Sequence, residues 1–207
     1  FCAGGDRDLG ALRGKPHMMI MITKRHAQHL FRLLLLDDKT IEVALHLARL
    51  AIERGGLAVH GAGVRRQTRA WIFAGPSGSG KTTATRLSAP AESLGDDFAI
   101  ALPFEGGWAA PALPFDNHEV APLDPVRGLT PLAGMWRLFQ AKHHRVERPT
   151  GVMAQASLLA CAAFPWALPD LADRAGESVA AIAASGIFGH LHFARDAGFW
   201  SLLSEEA

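Results

Sequence analysis

Cysteine is almost absent from this chain: Cys2 and Cys161 are the two in 207 residues, and they show no paired spacing. A disulfide framework or a cysteine-based zinc site is therefore not expected, and a reducing, cytoplasmic setting is the default. An excess of one charge is missing too, since 21 Lys and Arg meet 20 Asp and Glu for a net charge of +1. That balance gives no reason to expect nucleic acid or an acidic membrane surface as a partner. Long apolar runs are lacking as well. Met18-Met19-Ile20-Met21-Ile22 is far too short to span a bilayer, and the run from Leu30 to Leu36 is broken by Arg32 and closed by Asp37-Asp38. The N-terminal stretch has no extended apolar core of the kind a cleavable signal needs. Internal repeats and low-complexity tracts are also absent.

What remains is ordinary globular material. Hydrophobic residues make up 49% of the chain, enough for a sizeable core in one domain with a small appendage. Residues 1–39 read as an N-terminal tail and lead-in segment, the remnant of a truncated N-terminal region. Within it, 1–16 are loop or tail, and 17–36 hold a short β-like run and a helix around 26–36. Residues 40–207 read as the main domain.

Within that domain, Ile41, Leu45, Ala48 and Ile52 recur at helical spacing, with Asp37-Asp38 before them and Gly55-Gly56 after. That predicts a helix over 40–54. A strand over 57–64, a turn at 65–68 and a returning strand over 69–74 follow. A short helix over about 81–87 comes next, then a strand leading into Asp96-Asp97 and a hairpin around Glu105-Gly106-Gly107. Residues 134–141 fit strand or helix equally. Helices are expected at 150–164 and 169–185, a strand at 187–194 and a closing helical turn at 199–204. Intermixed strands and helices predict an α/β fold with a mixed central sheet and flanking helices.

The segment Gly75-Pro76-Ser77-Gly78-Ser79-Gly80-Lys81-Thr82 matches the G-x-x-x-x-G-K-[ST] phosphate-loop (P-loop) pattern without departure. Its glycines let backbone N–H groups turn inward as an anion nest. Lys81 supplies a point charge to the β- and γ-phosphates, and the Thr82 hydroxyl is a hard oxygen ligand for Mg²⁺. Ser77, Gly78, Ser79, Gly80 and Thr83 complete the expected cradle for ATP. A random chain of this length shows the pattern on the order of once per hundred chains, and here an apolar strand precedes it and a helix follows.

Asp96-Asp97 follows the loop at the end of the next strand. In an open α/β sheet, strand C-termini and the phosphate loop share an edge, so both carboxylates can approach the γ-phosphate. One would bind Mg²⁺ and the other accept a proton, while a turn or cap is the structural alternative. His60, in Val59-His60-Gly61, is on spacing alone more often a structural residue than a catalytic one.

Three stretches together, 57–61 (LAVHG), 75–82 (GPSGSGKT) and 94–98 (LGDDF), resemble the C-terminal kinase domain of HPr kinase/phosphorylase. That family shares its fold with phosphoenolpyruvate carboxykinase and has divergent members in peptide-modification gene clusters. Residues 131–140 and 191–200 also look like the divergent group. The resemblance implies a P-loop kinase that moves the γ-phosphate of ATP to a serine hydroxyl of a peptide or protein, and a homo-oligomeric assembly. It makes His60 an active-site residue, Asp96 the general base and Asp97 the metal-side acid. Val126-Arg127-Gly128-Leu129-Thr130 matches the family's Arg-Gly-Leu-Gly element only in part. Arg127 is therefore either a contact to the transferring phosphoryl group or a surface-loop arginine, and a divergent peptide or protein kinase is expected rather than one acting on HPr. A small-molecule kinase and a non-catalytic nucleotide-binding module remain as alternatives.

Two further groups read as structural. His190-x-His192 puts two imidazoles on one strand face, with no third metal ligand evident. His143-His144 lies in a basic segment with Lys142, Arg145 and Arg148, a solvated face or, in the sharper reading, a basic lip for an acidic peptide or for nucleotide. The five dispersed tryptophans read as core packing.

Overall fold

A computed structural model describes residues 38–113, 115, 128–163 and 168–205. The expectations for 1–37, and for Arg127, fall outside those residues. The first helix, α1, runs Asp38–Glu53 and buries Ile41, Ala44, Ala48, Ala51 and Ile52 along one stripe. It stops where Gly55 turns left-handed at φ 74°, with Gly55 N–H bonding Ile52 O and Gly56 N–H bonding Ala51 O.

Among the described residues, nine strands form one mixed, curled sheet. They are β1 (Leu57–Val59), β2 (Gly61–Arg66), β3 (Arg69–Ala74), β4 (Glu92–Gly95), β5 (Ala99–Phe104), β6 (Gly107–Pro111), β7 (Leu129–Gln140), β8 (Arg145–Glu147) and β9 (Phe188–Phe193). The order is β1-β5-β6-β7-β3-β2-β4, with β9 also on β7 and β8 on β9. One side of β7 pairs with β3 in parallel; the other pairs with β6 through Leu129–Pro131, then in parallel with β9 from Met135 to Gln140. The remaining pairings are antiparallel, so β3, β4, β5, β7 and β9 send their C-terminal ends in one direction and β1, β2, β6 and β8 run the other way.

Helices cover both faces. On one, α3 (Gly151–Leu159) and α4 (Ala172–Ala184), the latter entered through a 3-10 turn at Pro169–Leu171, pack Ala154, Leu158, Val179 and Ile182 against Ile72, Ala74 and Met135. On the other, the short α2 (Lys81–Arg86) and α5 (Phe199–Glu205) cover Phe73, Trp136, Leu138 and Phe193. Of the described tryptophans, Trp71, Trp136 and Trp200 are buried there, and Trp108 is half-buried against the core on the opposite face. Among the described residues no helix is long and apolar enough to cross a membrane.

Two sequence expectations change. The single strand expected over 57–64 is two, broken at His60, because the His60 backbone is claimed from outside the ladder. Its N–H donates to Cys161 O at 2.8 Å, and its carbonyl accepts from Gly75 N–H at 3.0 Å. The ambiguous run at 134–141 is the end of the twelve-residue β7, whose alternating apolar pattern is shared between two covered faces. The basic segment 142–148 also contains a short strand, β8, which the charges concealed.

Candidate functional site

The phosphate loop leaves β3 at the C-terminal edge of the three parallel strands, the position where α/β sheets place ligands. Neighbouring strands fix its shape. Gln140, the last residue of β7, donates its amide to Gly78 O at 2.7 Å, and Ser79 N–H bonds Pro76 O at 3.1 Å. Gly80 turns at φ 104°, and a Cβ there would lie 2.7 Å from the Phe193 ring of β9, so only glycine fits. Ser77 and Gly78 are exposed at the tip, Ser79 and Gly80 are half-buried, and Thr82 and Thr83 lie half-buried in the first turn of α2. Gly75 is buried against Ser79.

Lys81 is only 5% exposed. Its ammonium donates to Gly75 O and Pro76 O, both at 3.2 Å, and stands 3.7 Å from Asp97 Oδ1. Burial pulls its pKa below the ordinary lysine value, while the Asp97 and Asp96 carboxylates oppose that shift. Asp97 reaches this position from the left-handed region, at φ 59°, where aspartate is tolerated better than most residues. Its N–H is held by Asp96 Oδ1 at 2.9 Å, and Asp96 N–H bonds Phe115 O. The turn therefore aims Asp97 back at the loop while Asp96 stays buried.

His60 completes the group. Its Nε2 lies 3.4 Å from Asp97 Oδ1, close enough for an ion pair but too poorly aligned for a full hydrogen bond. Contact with His60, and then the charge of Lys81, hold the Asp97 carboxyl below the usual carboxylate range, against the effect of burial. The sequence-selected Lys81, Asp96, Asp97 and His60 thus meet from α2, the end of β4 and the break between β1 and β2. Two buried polar atoms here, His60 Nε2 and Ser79 Oγ, have no hydrogen-bond partner. Such atoms are uncommon inside native proteins and point to a ligand or water as the missing partner.

The residues that sequence reading missed are neighbours in space. Arg137, in β7, is paired across the ladder with Ala74, the residue before the loop. Its Nη1 donates to Ser157 Oγ at 3.0 Å, and its Nε is another of the unpartnered buried atoms. A lone charge inside Met135-Trp136-Arg137-Leu138 was the available signal, because a central strand rarely carries one without use. Cys161 lies behind the site, its thiol pushed up to about 11 by burial, and its carbonyl anchors His60.

The other sequence candidates resolve differently. The carboxylate of Glu147 approaches both His192 Nε2, at 3.3 Å, and His190 Nδ1, at 3.6 Å, yet it is also paired with Arg145 at 2.7 Å. The His192 ring is stacked on Phe139. Among the described residues no group of three or more His, Cys, Asp or Glu is arranged to hold a metal ion. His144 accepts from Ala194 N–H at Nδ1 and meets Asp196 at 2.7 Å through Nε2, so it pins the end of β9 rather than facing solvent freely.

The fold and site thus define a mixed α/β protein with a phosphate-loop sequence motif flanked by a histidine and two aspartates. A family model described as SynChlorMet cassette protein ScmC matches residues 26–122, a stretch that includes His60, the loop and the acid pair. No curated protein matches the chain. This finding corrects the HPr kinase/phosphorylase resemblance, since the matching model is not of that family or of another P-loop family. The physical reason is that the three stretches behind the resemblance are short, and short patterns recur across unrelated families.

Proposed function

We propose that this protein is a Mg²⁺- and ATP-dependent phosphotransferase that moves the γ-phosphate to a serine hydroxyl of a peptide or protein. One observation carries the reading: Lys81 and His60 converge on the Asp97 carboxylate, at 3.7 and 3.4 Å, at the mouth of the loop. A loop that only bound phosphate would have less use for a buried Asp96, a half-exposed Asp97 and a histidine beside the lysine. In finer terms the fold is read as a nucleotide-binding P-loop domain.

The roles follow from charge and burial. Lys81 leaves its own loop carbonyls for the β- and γ-phosphate oxygens. Thr82 and Asp97 are the hard oxygen donors suited to Mg²⁺, which usually takes one or two protein ligands beside the phosphates and needs no cage of three. When bound, Mg²⁺ would neutralise charge on those phosphates. Asp97, its carboxyl held below the usual range by contact with His60 and by the charge of Lys81, is a weak proton acceptor and suits the metal side. That leaves Asp96, buried next to it, as the base for the attacking serine hydroxyl. The serine oxygen bonds to the γ-phosphorus, the bond to the β-phosphate oxygen breaks, ADP leaves, and the serine proton passes to Asp96. His60 Nε2, which contacts Asp97 at 3.4 Å without a full hydrogen bond, orients that hydroxyl.

The test offers Mg²⁺ with γ-labelled ATP and a serine-containing peptide library to the wild-type chain and to Lys81→Ala. Label on peptide serine with wild type, and none with the variant, is the expected result. Nucleotide binding without label on any acceptor would leave only a regulatory module.

A further inference from the structure

We propose that Arg137 is the second cation of the phosphoryl-transfer site, aimed at the transferring group by Ser157 and His190. The inference rests on the phosphotransferase reading above and names a residue that neither the loop motif nor the acid pair contains.

The geometry begins with a row across the sheet. Ala74, Arg137, His190 and Glu147 are ladder partners on β3, β7, β9 and β8, so their side chains share one face. Ala74 immediately precedes Gly75, and paired strands lie about 4.8 Å apart. The Arg137 backbone is therefore one strand spacing from the base of the loop, and its long side chain starts on the α3 side. Lys81 and Arg137 are also both close enough for their charges to act on the Cys161 thiol. Both cations therefore lie in the neighbourhood of Cys161, whose carbonyl holds His60.

The guanidinium is held but not satisfied. Ser157, buried on α3, accepts from Nη1, and Phe139 lies under the cation with its ring centroid 5.2 Å away. Ser157 is held in turn by His190 Nε2 at 2.7 Å, and His190 is backed by Glu147. Arg137 Nε, by contrast, is buried and has no partner. Leaving a buried donor of a charged group unpaired is costly, and a fully tethered arginine would not show it. A planar guanidinium fixed through Nη1 and unpaired at Nε has a donor left for a phosphoryl oxygen, on which charge grows during transfer.

Ser157 and His190 act as positioning residues, while Arg137 touches the phosphoryl group. The test measures Mg·ATP affinity and trapping of ADP with aluminium fluoride, which imitates the transferring phosphoryl group. It compares wild type, Arg137→Gln, Arg137→Ala and Ser157→Ala. Arg137→Gln is expected to bind Mg·ATP within about threefold of wild type and to lose trapping by on the order of 100-fold. Added guanidinium should restore trapping to Arg137→Ala, which a purely structural arginine would not allow. Ser157→Ala keeps the cation and loses its tether, so trapping should weaken about tenfold with affinity for Mg·ATP unchanged. If Arg137→Gln does not fold, Ser157→Ala decides alone, and unchanged trapping in it overturns the proposal. Wild-type binding of Mg·ATP with equal trapping by Arg137→Gln overturns the Arg137 role and leaves the phosphotransferase reading standing. A wild-type chain that does not bind Mg·ATP removes both.

Discussion

Two clusters in this molecule join histidine, carboxylate and cation, and they behave oppositely. At the edge strands, Glu147 is engaged by Arg145, His190 and His192, and the His192 ring is stacked on Phe139. Each charge there has its answer within the protein. At the loop, Lys81 and His60 share one carboxylate at 3.7 and 3.4 Å, and His60 Nε2 and Ser79 Oγ have no hydrogen-bond partner. Satisfied networks hold a fold together, whereas unsatisfied ones built at the same depth are held ready for something else. Arg137 joins the two: its Nη1 belongs to the satisfied side and its Nε to the open one.

The comparison breaks first at Lys81. Lys81→Ala should weaken Mg·ATP binding by on the order of 100-fold, measured by calorimetric titration, because no other residue of the loop carries a charge. Asp96→Asn should keep nucleotide affinity and lower the transfer rate by on the order of 100- to 10,000-fold. Normal transfer in that variant would move the base to Asp97 or His60. Gly80→Ala tests the cradle rather than the charges. The left-handed φ and the Phe193 ring both oppose a Cβ, so thermal unfolding should report a loss of about 1–3 kcal/mol.

How much of this was legible beforehand follows from the range of the forces involved. The loop, α1 and the hairpin at 99–111 are local features, set by glycine, cap and alternation, and sequence periodicity finds them. The acid pair was legible because the short chain between loop and strand leaves it few places to go. The break at His60 was not, because it is made by Gly75 and by Cys161, about 100 residues away. Arg137 hid for the same reason: its meaning comes from Ala74, His190 and Ser157, three residues brought beside it only by the ladder and by α3. Short polar stretches, by contrast, overstated kinship. They suggested one family, while the family model that matches residues 26–122 is of another.

The smaller effects sharpen the contrast through pH. The Asp97 carboxyl is depressed by His60 and Lys81, so its ionisation favours the folded chain. That contribution is complete above the unfolded aspartate value of about 4 and is lost as pH falls through the lowered folded value. Asp97→Asn should therefore flatten the acid limb of a stability-against-pH curve without changing its neutral plateau much, since the side chain is 40% exposed and its pairing is screened. Glu147 is depressed too, chiefly by His192, so Glu147→Gln should flatten the same limb. The two variants part in function. Asp97→Asn should also raise the Mg²⁺ concentration needed for half-maximal transfer, whereas Glu147→Gln should leave it unchanged, because Glu147 lies in the network already satisfied by protein partners. A Mg²⁺ requirement that shifted equally in both would mean that the edge cluster and the loop cluster are one site, not two.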